Sequence, residues 1–297
     1  MQRSFGTTNS RAGRFTGIGL GIFFLLATAA GCTWNPFSHG KINSGGLADR
    51  LRGRVALTSG KSPKGVYVWL EGANIGTFSD STGQFTLSLP SGPQLGGFEG
   101  LSGVYRLFFF IANFKLESVK VALQNGQFVY GEQSLDEKGY LRQTVYLTQI
   151  LRITTQVYPA SVPSTYKHRI WIKTTVVSLQ DTVKVVFPRS DGTFLGGVFL
   201  KNLETGAVTV LESAFGPDVR YEIDVGPNSQ SLVRIFTLPS YPLNPGRYRA
   251  IPYLFVLQKG LPSELVQSLG DRVTELSPEY LKIPFRREGG FFQVTGL

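Results

Sequence analysis

Residues 65–90 read GVYVWLEGANIGTFSDSTGQFTLSLP. Over 66–72 the chain alternates, setting Val66, Val68 and Leu70 against Tyr67, Trp69 and Glu71. That is the period of a strand with one buried face. A short strand follows, then the cluster Asp80-Ser81-Thr82-Gly83, then a strand over Gln84–Leu89 with Phe85, Leu87 and Leu89 on one side. Asp80 is suited to bond the backbone across a turn, and Gly83 to take positive φ. Strands punctuated by turn chemistry, with no helical period, make this region all-β.

Working outward, RGRVAL (52–57) alternates as a strand and TSGKSPKG (58–65) is a turn cluster. Downstream, GVYRLFFFIANFKLESVKVAL (103–123) supplies two more strands. GEQSLDEKGYLRQTVYLTQ (131–149) adds a loop and a last strand with Val145 and Leu147 inward.

Taken in order, Gly53, Val55, Gly65, Val66, Val68, Gly76, Thr77, Asp80, Gly83, Phe85, Leu87 and Pro90 carry a pattern. It resembles the carboxypeptidase-regulatory-like domain, a small prealbumin-like β-sandwich. Lys64 stands where that family often has Pro or a small residue. The resemblance implies an accessory or docking module without catalytic residues, of the kind that accompanies carboxypeptidases, surface receptors and adhesins. The zinc motif of the metallocarboxypeptidases, His-x-x-Glu, is not in the sequence. His39 is followed by Gly40-Lys41-Ile42, and His168 by Arg169-Ile170-Trp171. SDSTG (79–83) offers one carboxylate, too few for a calcium loop, and reads as a β-turn. No metal or cofactor is expected.

From residue 151, alternating segments recur between the turns SDG (190–192), ETG (204–206), GPD (216–218), GPNS (226–229) and NPG (244–246). About seven short strands in that rhythm predict a second sandwich. LNPGRYRA (243–250) resembles the entry to a late strand of Ig-like modules, with Gly246 at the turn and Tyr248 at a corner. Trp171 and the pair Phe194/Phe199 fit either a sugar platform or a core, and alternation favours core. His168 reads as an exposed residue at a strand start. In PSELVQSLGDRVTEL (262–276), Leu265, Val266, Leu269, Val273 and Leu276 fall at helical spacing, predicting a short amphipathic helix packed on the sandwich or facing a partner. EYLKIPFRREGGFFQVTGL (279–297) closes the chain as strand-like segments around a basic Arg286-Arg287 turn.

The amino-terminal end points to the compartment. Arg3, Arg11 and Arg14 precede an apolar run over 15–30, and the run ends in Ala29-Ala30-Gly31-Cys32. A cationic flank, an apolar stretch and a small-residue exit make a secretory signal. The last four residues resemble the bacterial lipobox, with Ala29 where Leu is commoner. That resemblance implies cleavage before Cys32, a diacylglycerol thioether on its sulfur and an acyl chain such as palmitate on the new amino group. Thr33 in place of Asp implies outer-membrane sorting. Residues 33–46, TWNPFSHGKINSGG, read as a flexible tether, which includes His39.

Composition agrees. Of 297 residues, 35 are Gly, 34 are Phe or Tyr and one is Cys. A single Cys rules out an internal disulfide. Net charge is +10, and a chain starting at Cys32 keeps 27 Lys and Arg against 20 Asp and Glu. The positive charge is dispersed, without the blocks or motifs of a nucleic-acid binder.

The sequence therefore predicts an all-β protein. Residues 1–31 are a lipoprotein signal peptide, and 32–50 a lipidated Cys32 and tether. Residues 51–150 form a prealbumin-like sandwich, and 151–297 an Ig-like sandwich with a short helix and strand tail. The expected role is a non-catalytic, lipid-anchored envelope module whose partner is an envelope protein or glycan. The alternatives are an accessory subunit of an export or receptor complex and, behind it, an envelope hydrolase.

Overall fold

The computed structural model describes residues 47–90, 101–188, 195–213 and 219–296. The stretch read as a signal peptide, Cys32, His39, Phe194 and the turns at 190–192 and 216–218 lie outside these residues.

Among the described residues nine strands build the first half: β1 (Leu47–Ala48), β2 (Arg50–Leu57), β3 (Tyr67–Leu70), β4 (Ile75–Phe78), β5 (Gln84–Ser88), β6 (Gly103–Phe110), β7 (Glu117–Gln124), β8 (Gln127–Val129) and β9 (Val145–Leu147). They form a six-stranded sheet, β1-β8-β7-β6-β3-β4, and a three-stranded sheet, β5-β2-β9. The two share one core of Leu51, Val55, Val68, Leu70, Phe85, Leu87, Leu107, Phe109, Val121 and Leu147. β1 lies in the stretch read from sequence as tether and pairs with β8.

Twelve strands follow among the described residues: β10 (Leu151–Tyr158), β11 (Ser161–Pro163), β12 (Ile170–Ser178), β13 (Val183–Pro188), β14 (Val198–Asn202), β15 (Val208–Leu211), β16 (Arg220–Val225), β17 (Gln230–Phe236), β18 (Gly246–Pro252), β19 (Phe255–Leu257), β20 (Glu288–Gly289) and β21 (Phe291–Thr295). Sheets β17-β12-β10-β20 and β11-β21-β18-β14-β15 enclose a second core, and β16-β13-β19 contributes Val183, Val185, Phe187, Val225 and Val256 to it. Tyr248 is buried, and its hydroxyl donates to the Asn244 carbonyl at 2.8 Å, pinning the entry to β18.

The turn at Asp80 forms as its chemistry dictates. Asp80 Oδ1 accepts from Thr82 N at 2.8 Å, Thr82 Oγ1 at 2.7 Å and Gln84 N at 3.0 Å. Gly83 sits at φ +83°, where an added Cβ would stand 2.0 Å from the Val55 carbonyl oxygen.

β3 departs from the sequence reading, because both its faces are buried. Val68 and Leu70 enter the first core, whereas Tyr67 and Trp69 enter a third one. In that third core Tyr67, Trp69, Phe108, Phe110 and Ala112 pack with Phe199, Ile251, Tyr253, Leu265, Val273, Tyr280 and Ile283. The outer face of one sandwich is therefore covered by the other. Two side-chain amides fasten the same seam. Gln258 Nε2 donates to the Ala112 carbonyl at 3.0 Å, and its Oε1 accepts from Leu116 N at 2.9 Å. Asn113, fully buried, bonds the backbone of Leu151 and Arg286.

The helix expected over 262–276 is shorter. It spans Ser263–Gln267. Gly270 at φ +150° ends the helical path, and a 3₁₀ turn at Pro278–Lys282 replaces its continuation. Leu265 and Val273 still reach the seam, so the apolar residues are spent on internal packing.

Candidate functional site

The residues raised by the sequence separate in the structure. Phe199 is fully buried in the seam, against Tyr280 at 5.4 Å and Tyr253 at 5.9 Å between ring centroids. It is core and no platform. Trp171 is 43% exposed and stands on the outer face of β12.

The neighbour of Trp171 is one that sequence reading missed. In the antiparallel pairing of β10 with β12, Tyr158 lies directly opposite Trp171, and on the other side β17 places Ile235 opposite it. Tyr158 is 74% exposed. Opposed residues have Cβ atoms about 4.5–5.5 Å apart, so three side chains form a continuous row across the sheet. Inward residues on the same strands, Val157, Ile170, Ile172 and Phe236, anchor the backbone in the second core. Period 2 thus turns Tyr158 and Trp171 outward because their neighbours are buried.

Beside the row, Tyr158, Tyr166, Lys167, His168, Arg169 and Trp171 line a shallow groove of about 610 Å³. The rings of Tyr166 and His168 meet edge to face at 5.4 Å. His168 is exposed, at the approach to β12, as its sequence position suggested. The groove combines flat aromatic surface with basic side chains. Large, rigid, amphipathic rings give contact area at little conformational cost.

Carboxylate chemistry is arranged differently. Asp181 and Asp224 line one groove, but Asp224 is an exposed partner of Lys184 at 3.5 Å. A carboxylic acid that donates a proton near neutral pH needs burial to push its titration upward. Here Asp80, Asp136, Glu279 and Glu288 all move down: Asp80 through the Thr82 hydroxyl, Asp136 through the Tyr140 N–H, Glu279 through the Arg272 N–H and Glu288 through Lys61. Among the described residues no buried polar side chain is acidic, and no group of three metal-ligating side chains converges.

No family model and no curated protein matches the chain. Among solved structures it is similar to the major pilin subunit BcpA of Bacillus cereus, at 12% identity and a TM-score of 0.27, over 70% of this chain and 67% of that one. It is also similar to the TIE protein of Bacillus anthracis, at 10% identity and a TM-score of 0.22, over 71% of this chain and 48% of that one. At this level of superposition the likenesses say nothing of activity or partner.

Proposed function

We propose that the protein is a lipid-anchored, non-catalytic module of the bacterial cell envelope that holds the outer face of its second sandwich against an envelope glycan. The observation that carries this reading is the row Tyr158–Trp171–Ile235. Two large rings stand exposed on adjacent paired strands, fixed from behind by a packed core. Sugar rings offer flat C–H faces to such surfaces, and Lys167 and Arg169 beside them suit acidic or hydroxyl-rich sugars.

The anchor is argued from sequence: the cationic start, the apolar run and Ala29-Ala30-Gly31-Cys32. One acyl chain binds a membrane marginally, and a lipidated amino-terminal cysteine supplies the several that stable attachment needs. Thr33 favours the outer membrane. On this reading residues 51–150 and 151–297 are two domains locked by the aromatic seam into one body, which keeps the aromatic face in a fixed pose. A contiguous exposed apolar patch over 262–297 would favour the accessory-subunit alternative, and Leu265, Val273, Tyr280, Ile283, Phe292 and Val294 in that stretch are buried.

The test is co-sedimentation of the purified protein with insoluble envelope polysaccharide. Wild type pellets with it, and the double variant Tyr158→Ala, Trp171→Ala loses about tenfold or more in affinity, the scale of an aromatic hot spot. An unchanged bound fraction for a folded double variant refutes the glycan face.

A further inference from the structure

A second surface, on a different sheet, carries charge with no counter-charge. Lys201 on β14 and Arg249 on β18 are directly opposite in the antiparallel pairing. Like charges so placed are destabilising. They lie on the strand faces that also carry Phe199 and Ile251, where the outer face of the five-stranded sheet leaves the seam. The chain then returns over 281–287 and adds Lys282, Arg286 and Arg287 to the same groove. The groove encloses about 360 Å³, and no acidic residue lines it. Lys282 pairs with Glu279 at 3.3 Å. Lys201, Arg249, Arg286 and Arg287 form no ion pair with any described carboxylate.

The guanidinium groups are held in place by neutral groups. Arg249 Nη2 donates to the Arg287 carbonyl at 2.7 Å, and its Nε to the Gly289 carbonyl at 3.3 Å. Arg286 Nη2 donates to the Lys64 carbonyl. Arg287 Nη2 donates to the Tyr280 hydroxyl at 2.6 Å, and its guanidinium lies 3.8 Å from the Phe285 ring centre. The Nε of Arg287 is shut off from solvent and has no hydrogen-bond partner. Desolvation draws Arg249 and Arg286 below the ordinary guanidinium value, and desolvation together with the charge of Arg249 does the same to Arg287. Burying cations beside each other without a carboxylate is costly. Forked guanidinium donors grouped without a carboxylate are the chemistry that oxyanions pair with.

The geometry points to a phosphate-ester binding site in the groove of Lys201, Arg249, Arg286 and Arg287 at the junction of the two sandwiches. Four uncompensated cations match a dianionic phosphomonoester better than a single carboxylate. The remaining guanidinium donors provide the forked contacts that a tetrahedral oxyanion takes. Phe78, half exposed at the rim, offers an apolar wall to the body of the ester. The same chemistry occurs in a soluble sugar phosphate and in a lipid headgroup. This site shares no residue with the aromatic row and stands or falls without it.

The experiment uses the full chain carrying Cys32→Ser, so that no acyl chain of its own enters a vesicle. Glucose 1-phosphate is titrated calorimetrically, with sodium acetate at matched ionic strength as the control. Flotation with phosphatidic acid vesicles is compared with phosphatidylcholine vesicles. Saturable binding of the sugar phosphate, of phosphatidic acid vesicles or of both, absent with acetate and phosphatidylcholine, supports the site and names its source. Lys201→Gln, on a half-buried side chain that pins nothing, and Arg249→Gln each weaken it by about tenfold or more, as loss of a charged hydrogen bond does. Binding neither ester, binding acetate equally, or binding unaltered in a folded Lys201→Gln and a folded Arg249→Gln protein overturns the proposal.

Discussion

Asn113 and Arg286 exchange two hydrogen bonds across the seam: Asn113 Nδ2 donates to the Arg286 carbonyl at 2.9 Å, and the Arg286 N–H donates to Asn113 Oδ1 at 2.9 Å. The same Nδ2 donates to the Leu151 carbonyl at 2.8 Å. One buried amide thus ties the turn between β6 and β7 to the start of β10 and to the returning carboxy-terminal chain. Ala112 N adds a backbone bond to the Pro284 carbonyl at 2.8 Å.

Asn113→Ala strands the Arg286 N–H and carbonyl beside a side chain with no exposure, and leaves the Leu151 carbonyl only its bond from Gln149 Nε2 at 3.0 Å. Each buried unsatisfied group costs about 1–3 kcal/mol. The expected loss is about 3–4 kcal/mol, read from the urea midpoint at unchanged slope. Asn113→Asp is at least as damaging, since a carboxylate accepts but cannot donate to two carbonyls and brings a buried charge. A loss under about 0.5 kcal/mol in both variants would remove the amide from the account of the seam.

The Asp80 turn makes a pH prediction. Its carboxylate is lowered from the ordinary 3.8, first by the Thr82 hydroxyl and then by the backbone N–H of Thr82 and Gln84. A folded value below the unfolded one contributes stability above the unfolded value and loses it as pH falls through the folded one. Asp136 repeats the device with the N–H groups of Tyr140 and Lys138. Asp80→Asn keeps a turn-forming acceptor but does not titrate. Its stability is therefore expected to fall less steeply below about pH 4 than that of wild type. Chemical denaturation at pH 7 and pH 3 measures it, and parallel acid limbs in the two proteins would contradict the assignment.

What was legible in the sequence was local. The Asp80 side chain bonds only within four residues, to Thr82 and Gln84, so the turn could be read from spacing. The strands of both halves follow from alternation, and Tyr248 from its Pro-Gly-x-Tyr setting. What was hidden depended on distant partners. Tyr67 and Trp69 alternate with Val68 whether the outer face meets water or a second sandwich. Only the fold shows that they share a core with Tyr280 and Phe199. The helical spacing at 265–276 correctly marked one buried face, but Gly270 divides it between a short helix and turns. Trp171 was singled out with Phe194 and Phe199, yet its true neighbour is Tyr158, because strand register rather than sequence distance decides who stands opposite. Lys201 and Arg249, 48 positions apart, were invisible for the same reason.

The anchor has its own test. Cys32→Ser removes the only thiol. The variant is expected in the soluble fraction after cell breakage, and without incorporation of labelled palmitate. Wild type is expected in the membrane fraction, labelled. Retention of the variant on membranes at wild-type level would sink the lipid anchor while leaving both binding surfaces to be judged separately.

The most direct measurement of the glycan face is an NMR titration that watches the tryptophan indole N–H signals while soluble fragments of the envelope polysaccharide are added. Trp69 is buried in the seam, and its indole donates to Asn74 Oδ1 at 3.1 Å, whereas Trp171 stands in the open row. The account predicts a saturable shift of the Trp171 indole and of the Tyr158 and Ile235 amides, with the Trp69 signal unmoved. A titration that shifts other surfaces, or leaves Trp171 unmoved while the fragments bind, contradicts it.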